Sequence, residues 1–456
     1  MSRVDRTALP ATGTTGVLHF PLIERQTLAN GLEVRAIAHR TVPVVSAVLM
    51  VRGGTAADPP ERPGLAAFMA DLLDEGSGGR SALDVADALA RLGADFDVDV
   101  GADAIVLSLT TLTRFLQPAL ALLSEMVLAP NLAEPDIERV RKLRSERLQQ
   151  LRDHAPAVAD RAFMRLLYRD HPYGHLGLGT EAALKATSFD EIRRFHRGAF
   201  VPASATLVIA GDGAGADLTT AAASAFGGWR SGSDGAVVNH EAGRQVPPPA
   251  PDHRLAIVPR TGSAQSELRI GHVCASRGTP DYHALLLLNM ILGGQFVSRV
   301  NMNLRQEKGY TYGVRTGFDL RRGMGPFALQ TSVDTTVTAP AVREALREMS
   351  EIRDVRPATP DEVALARASV TRGYPRGFET AQQVARGAAQ LALHELPDTF
   401  FEEFVPRVEG VSLDDVHRVA REYLDPARMA TLVVGDLDRI RPELATLLGE
   451  PQVVSV

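Results

Sequence analysis

Two histidines in the first half of the chain have a spacing that can bind a metal. A pair of histidines four residues apart binds zinc when a helix places both side chains on one face. His171 and His175 have this spacing, but Pro172 and Gly174 lie between them and interrupt any helix. We therefore interpret this stretch as a structural loop. The twelve histidines of the chain form no tight cluster elsewhere in the sequence.

A glycine-rich turn is the second motif with possible chemistry, because such a turn between a strand and a helix can cradle a phosphate. The sequence GDGAG at 211–215 follows an apolar run and precedes a helical pattern. The sixth position of the dinucleotide fingerprint is Ala216, however, and the related segment GDLDRI later in the chain lacks the additional glycines. We interpret the turn as a plain connection between a strand and a helix.

The composition excludes several classes of protein. The single cysteine, Cys274, rules out a disulfide framework and a cysteine-based zinc site. A net charge of -6 argues against a nucleic-acid surface, and no apolar stretch is long enough for a membrane helix or a signal peptide. We expect a cytoplasmic protein without nucleic-acid or membrane partners, while export by another route stays open.

The elements that must position any site come in two related sets. Residues 189–212 and 413–436 align without a gap and are identical at seven positions, among them a Pro-Ala pair and a terminal Gly-Asp. Each copy reads as an amphipathic helix, a proline-containing turn and a buried strand. The ungapped match, at a period close to half the chain, predicts an internal duplication and hence two homologous lobes.

The two lobes are joined by a segment of different composition. Residues 227–253 are rich in Gly, Ser and Pro, which is typical of an exposed linker. We therefore expect an N-terminal lobe at 17–226 and a C-terminal lobe at 254–450. Strand patterns come in groups and do not alternate one for one with helices, which favours an α+β fold with a mainly antiparallel sheet in each lobe, covered by helices. The predicted elements nearest the motifs are strands at 32–39, 44–52, 104–112 and 312–319 and helices at 64–74, 81–92 and 297–306.

The early apolar helix, GLAAFMADLLDEGS at 64–77, resembles the first signature of the pitrilysin/insulinase family of zinc metallopeptidases, the inverzincins. In that family two histidines on this helix bind zinc and a glutamate acts as general base. The three corresponding positions here are Ala67, Ala70 and Asp71. The family's third ligand is a glutamate on a later helix, which would fall near Glu146 or Arg147. A catalytic zinc needs about three protein ligands, so the resemblance implies a degenerate site with no metal and no cofactor bound by this chain.

The second half carries a more complete signature, LGGQFVSRVNMNLRQEKGYTYGV at 292–314. It resembles the family's second conserved segment, with a Gly-Gly turn, a Ser-Arg pair and an Arg and a Tyr seven residues apart. In the family this Arg and Tyr reach across a chamber to the substrate. The resemblance implies that Arg305 binds substrate carbonyls and that Tyr312 stabilises the oxyanion.

A substrate-binding strand is also implied by the resemblance. Residues Gly93, Ala94, Asp95 and Phe96 fall where the family has an edge strand, to which a peptide adds through backbone hydrogen bonds. HPYG at 171–174 similarly resembles a loop of the family's first lobe.

The resemblance as a whole implies the zinc-less subunit of a heterodimeric metalloendopeptidase. The partner would be a homologous zinc-bearing subunit, the zinc would lie in that partner, and the substrate would be a peptide undergoing processing or degradation. The chain alone would then be inactive. The alternative is a non-catalytic scaffold or peptide-binding subunit of a larger complex, and a third possibility is an active homodimer with an unrecognised metal site.

Overall fold

The computed structural model describes residues 18–232, 235–236, 238–250 and 254–455. The first of its two six-stranded sheets contains β1 (Ile23–Thr27), β2 (Glu33–Ala38), β3 (Val44–Arg52), β4 (Asp95–Val100), β5 (Ala104–Leu112) and β6 (Ala205–Gly211). Their order across the sheet is β1-β2-β6-β3-β5-β4. Neighbouring strands are antiparallel except β2 and β6, which are parallel.

The second sheet contains β7 (Leu255–Pro259), β8 (Gln265–Val273), β9 (Val314–Phe318), β10 (Pro326–Asp334), β11 (Ala430–Gly435) and β12 (Gln452–Val453). Their order is β12-β7-β11-β8-β10-β9, and β7 is parallel to both of its neighbours. The order from β2 to β4 in the first sheet therefore repeats from β7 to β9 in the second. The outermost strands at the other edge, β1 and β12, come from opposite ends of the chain.

Helices cover both sheets. The α-helices are α1 (Leu65–Ala70), α2 (Ala82–Arg91), α3 (Leu116–Leu128), α4 (Glu134–Asp153), α5 (Ala155–Tyr168), α6 (Glu181–Ala186), α7 (Phe189–Ala199), α8 (Gly215–Phe226), α9 (Ala242–Gln245), α10 (Tyr282–Asn289), α11 (Thr338–Glu351), α12 (Pro360–Arg372), α13 (Ala381–Leu393), α14 (Phe400–Gly410), α15 (Leu413–Tyr423) and α16 (Leu437–Leu448). Two segments, Met290–Gly294 and Asn301–Glu307, are π-helices. The predicted α+β class with two mainly antiparallel, helix-covered sheets is confirmed.

The duplicated segments form equivalent units. Helix α7 leads into β6, and helix α15 leads into β11. Each helix begins with a complete capping box, in which Ser188 pairs with Glu191 and Ser412 pairs with Asp415. The two copies therefore keep both the helix start and the buried strand in the same place within their lobes.

The two lobes exchange a pair of helices. Helix α5 of the first lobe packs on β8 and β11 of the second sheet, and helix α13 of the second lobe packs on β3 and β6 of the first. Both helices present small buried side chains to the sheet, such as Ala159 and Ala162 on α5 and Ala388 and Ala389 on α13. Small side chains let a helix lie close to the sheet, so each lobe completes the packing of the other.

Two predicted elements differ from the structure. The helix expected at 64–74 ends at Ala70, after which 71–74 form turns. The helix expected at 297–306 is a π-helix that begins at Asn301. The side chain of Asn301 exchanges hydrogen bonds with the backbone of Val314 at 2.8 and 2.9 Å, which ties the start of this helix to the start of β9.

The linker expected to be exposed is partly bound to the lobes. Trp229 is buried in the first lobe's core, and the His240 ring bonds to the Arg52 carbonyl at 2.7 Å. Arg322 of the second lobe bonds to Glu241 at 2.7 Å. Residues 233–234, 237 and 251–253 of the linker lie outside the described residues.

Candidate functional site

The short helix α1 is held at its N-terminus by one buried carboxylate. Asp58 accepts hydrogen bonds from the backbone N–H groups of Gly64 and Ala66, both at 2.6 Å. The ring of His175 bonds to the same carboxylate at 2.9 Å. His175 is therefore engaged with Asp58, an arrangement that fixes where α1 begins.

An arginine from α4 pairs with Asp71, the residue that follows α1. Arg144 is only 4% exposed, pairs with the Asp71 carboxylate, and donates to the Gly177 carbonyl at 2.7 Å. Its guanidinium also lies 5.6 Å from the centre of the Phe68 ring. Arg144 thus joins α4, α1 and the loop after α5, and its charge is balanced by Asp71. We refer to this pair as the Arg144–Asp71 latch.

Both residues near which the family's third ligand would fall lie on the outer face of α4. Glu146 and Arg147 are both exposed on α4, and Glu146 lies 4.0 Å from Lys142 on the same helix. Residues four apart share a helix face, so Arg144 and Leu148, which are both buried, form the face turned inward. Of the charged residues Arg144, Glu146 and Arg147, Arg144 is the one that contacts α1.

These side chains do not fit a zinc ion. Ala67 and Ala70 are buried and have no donor atom, and the carboxylate of Asp71 is occupied by a guanidinium. A cation at that position would face the positive charge of Arg144. Within the described ranges, no group of three or more His, Cys, Asp or Glu side chains is placed to hold a metal ion.

The second signature is built around close packing and buried amides. A Cβ atom at Gly293 would lie 2.4 Å from the Thr316 hydroxyl, so a side chain there would displace β9. Arg299 forms two bonds of 2.7 Å with Glu362 of α12. Arg299 therefore fixes the segment against α12. The residues predicted to contact the substrate follow it in the sequence.

Arg305 and Tyr312 lie on the surface of the second lobe. Arg305 sits in the π-helix, a rare conformation that is frequent at functional sites, with its guanidinium 3.9 Å from the centre of the exposed Phe296 ring. Tyr312 precedes the edge strand β9 and is 96% exposed. In the part of the chain that the structure describes, no hydrogen bond joins the two side chains to each other or to α1.

The residues predicted to bind a peptide backbone lie at the start of an edge strand. Asp95 and Phe96 open β4, which is the outermost strand of the first sheet and pairs with β5. Gly93 and Ala94 come directly before it. Helix α1 contacts β4, so this edge lies beside the degenerate site. Alternate residues of β4 are exposed, as expected for a strand with one free face.

The His-Pro-Tyr-Gly loop joins the two lobes. The hydroxyl of Tyr173 donates to Asp103 in the first lobe and accepts from the backbone N–H of Gly323 in the second at 3.0 Å. The ring of His171 bonds to the Val246 carbonyl at 2.7 Å. The interpretation of this stretch as a structural loop is confirmed. Burial lowers the pKa of His171, which favours the neutral ring.

The glycine-rich turn is also structural. It connects β6 to α8, and a Cβ atom at Gly215 would lie 2.1 Å from the carboxylate of Glu24. That carboxylate already occupies the approach to this turn, where a phosphate would have to enter. The turn is therefore a strand–helix connection, as expected from the sequence.

The comparisons with known proteins agree with this arrangement. Residues 34–181 match the family described as "Insulinase (Peptidase family M16)", and residues 187–370 match "Peptidase M16 inactive domain". An uncharacterized zinc protease of Mycobacterium tuberculosis is 25% identical over 415 residues, which cover 90% of this chain and 92% of that protein.

Solved structures share the fold. The crystal structure of a peptidase M16 inactive domain from Pseudomonas fluorescens has a TM-score of 0.83 at 23% identity and covers 91% of this chain and 98% of that one. A protease from Helicobacter pylori has a TM-score of 0.84 at 18% identity and covers 91% of this chain and 100% of that one. Among the described residues, no helix is both long and apolar enough to span a bilayer. With both family descriptions matched along most of its length and the two-lobed fold in place, the chain belongs to the insulinase family of peptidases, family M16, as a member that lacks the family's zinc-ligand residues.

Proposed function

We propose that this chain is the zinc-less subunit of a two-chain metalloendopeptidase of the insulinase type. One contrast carries the proposal. At α1, the counterpart of the family's zinc-binding helix, Asp71 is already paired with Arg144 in the Arg144–Asp71 latch. The second signature, in contrast, keeps both the arginine and the tyrosine, and Tyr312 is exposed. A homologous partner with intact zinc ligands would supply the metal and the activated water.

In this proposal Arg305 and Tyr312 act on the peptide held in the shared chamber. Stacking on the Phe296 ring orients the Arg305 guanidinium without consuming its N–H donors, which then bind substrate carbonyl oxygens. Tyr312 donates its hydroxyl hydrogen to the carbonyl oxygen as that atom gains negative charge. An exposed tyrosine without a hydrogen-bond partner among the described residues is suited to contact a group from outside the chain.

The substrate class follows from the edge strand. An extended peptide adds to β4 through main-chain hydrogen bonds, starting at Gly93 to Phe96. Main-chain pairing needs an unfolded segment but little sequence specificity. We therefore propose short or unfolded peptides as substrates, in processing or degradation.

The test is a mixing experiment. This chain is assayed alone, and then with a zinc-bearing family member from the same genome, on a quenched fluorescent peptide with and without a chelator. Cleavage that appears in the mixture beyond that of the partner alone, and that the chelator abolishes, would support the divided site. Cleavage by this chain alone would contradict the proposal. A mixture no more active than the partner alone would favour the scaffold role.

A further inference from the structure

A large cavity lies between the lobes, beside Asp58 and His175, which hold the start of α1. It has a volume of about 1250 Å³ and is bounded by α5, the loop after it, β7 and the C-terminal segment. None of Ala67, Asp71, Arg305 and Tyr312 lines it, and neither does β4. Ligand sites in proteins commonly measure about 300–1,000 Å³, so the cavity can hold a small molecule or several residues of a peptide.

One part of the wall is apolar. Aliphatic side chains from both lobes and from the C-terminal segment contribute to it: Leu148, Leu151, Val158, Val258, Val434 and Val454. Such a wall favours a ligand with an apolar body, because apolar surface is then removed from water on both partners.

Another part of the wall carries two arginines that have no carboxylate partner in the part of the chain that the structure describes. Arg161 and Arg165 are one turn apart on α5 and both line the cavity. Nη2 of Arg161 donates to the Gly179 carbonyl, which leaves Nε and Nη1 without an acceptor among the described residues. Burial, and then the nearby charge of Arg152, lower the pKa of Arg161. A partly desolvated cation with free donors is stabilised by an anion.

The carboxylates that also line the cavity do not neutralise this pair. Asp58 is bound to the start of α1 and to His175, and Glu181 is paired with Arg152 and Lys185. The remaining two, Asp153 and Asp170, are exposed and form no ion pair with a described residue. Among the described residues, Arg161 and Arg165 on α5 and Arg260 after β7 therefore line the cavity without a carboxylate partner, and Arg260 donates to the backbone carbonyl of Asp153.

We propose that this cavity binds a carboxylate carried on an apolar chain, with Arg161 as the main anion-binding residue and Arg165 beside it. The planar guanidinium of Arg161 matches a carboxylate in a two-point hydrogen bond, and the aliphatic wall takes the chain. Two sources have this chemistry: the free C-terminus of a short apolar peptide, and a free fatty acid. The inference does not depend on the proposed peptidase role.

The experiment is titration calorimetry on the full chain with matched pairs of ligands. The first pair is N-acetyl-Leu-Leu-Val with a free carboxylate and its C-terminal amide; the second pair is octanoate and octanamide. We expect at least one acid to bind saturably and about 10-fold or more tightly than its amide, because the amide lacks the charge that Arg161 recognises. Binding of the peptide acid alone, or of octanoate alone, identifies the source.

Variants connect the affinity to the cavity. Arg161→Gln should remove most of the preference for acid over amide, whereas Arg147→Gln, at an exposed position on α4 outside the cavity, should leave it unchanged. Val453→Asp adds a negative charge to the exposed rim and should also weaken binding of the acid. The proposal is overturned if neither acid binds, if acid and amide bind equally, or if Arg161→Gln and Val453→Asp both bind as the unchanged chain does.

Discussion

At the scale of single residues, two arginines show how burial decides what a guanidinium can do. Arg144 is buried, forms an ion pair with Asp71 and donates a hydrogen bond to a backbone carbonyl of the same chain. Arg305 rests on an exposed aromatic ring and keeps its donors available. The first arrangement holds a fold together, and the second is suited to bind another molecule.

The roles proposed for Arg305 and Tyr312 can be measured in the mixed enzyme. Arg305→Ala and Tyr312→Phe should each lower kcat/KM of the pair by ~10²-fold, because each removes a hydrogen-bond donor that acts in the transition state. Arg343→Ala on α11 and Tyr310→Phe are matched controls and should change it little. Near-normal rates in both test variants would remove the oxyanion role.

His283 gives a prediction about pH. Burial, and then the charges of Arg407 and Arg277, lower its pKa to about 4, so the folded chain binds this proton less readily than the unfolded chain does. Below the ordinary histidine pKa of about 6.5 the unfolded state gains the proton first, so the folded state loses stability as pH falls from about 6.5 towards 4.

The corresponding variant is His283→Phe, whose ring suits the neighbouring Phe400 and Phe404. Its free energy of unfolding should depend less on pH than that of the unchanged chain, by about 1 kcal/mol between pH 7 and pH 5 once partial exposure is allowed for. Denaturant unfolding at the two pH values measures this. An equal pH dependence in both proteins would contradict it, and His19→Gln, at an exposed histidine, is the control.

At the scale of elements, the same helix positions that form a metal site elsewhere in the family serve packing here. Helix α1 is short, fully buried and fixed at one end by Asp58 and near the other by Arg144. The π-helix, in contrast, is anchored by its buried asparagines while its outer face stays accessible. Helix α1 therefore serves packing, whereas the π-helix keeps a surface that is accessible to another molecule.

The latch predicts a loss of stability when its exposed partner is removed. Asp71→Asn leaves Arg144 buried without a countercharge, and we expect the free energy of unfolding to fall by about 1–3 kcal/mol. Asp74→Asn, on the next exposed position of the same turn, is the control and should cost less. Urea unfolding at pH 7 distinguishes the two. A double-mutant cycle with Arg144→Leu should give a coupling energy, and additivity of the two single changes would argue against the latch.

At the scale of the whole molecule, each lobe contributes to the packing of the other. Phe20 of the first lobe packs in an aromatic cluster with Phe378 and Phe401, at ring distances of 5.5 and 5.0 Å. The helix exchange buries strands β3 and β6 on both faces. Each sheet therefore depends on a helix that the other half of the sequence supplies.

This dependence predicts that the lobes do not fold separately. A fragment covering 18–250 lacks α13, so apolar side chains of β3 and β6 would face water. We expect it to bind a hydrophobic dye and to lack a cooperative thermal transition, whereas the full chain should unfold in one transition. Circular dichroism melts with dye fluorescence measure both. A fragment that melts cooperatively would show that α13 is dispensable.

The sequence by itself determined the repeated architecture and the chemical identity of the sites. The match between 189–212 and 413–436 was sufficient to predict two related lobes. Duplicated segments keep their pattern of buried residues, and this pattern defines strands and amphipathic helices. That the family's two histidines are replaced by Ala67 and Asp71 and its general base by Ala70 was equally plain, since residue types are read directly from the sequence. The roles of Arg305 and Tyr312 stay predictions.

The tertiary structure decided what depends on contacts between distant segments. Gapless counting pointed to Glu146 or Arg147, but the direction of a side chain on α4 depends on which helix face is buried, and this turned Arg144 towards Asp71. The exchange of α5 and α13 could not be foreseen either, because an amphipathic pattern shows that a helix has an apolar face and not which sheet covers it. The cavity beside Arg161 arises in the same way, from surfaces that meet only when both lobes have folded.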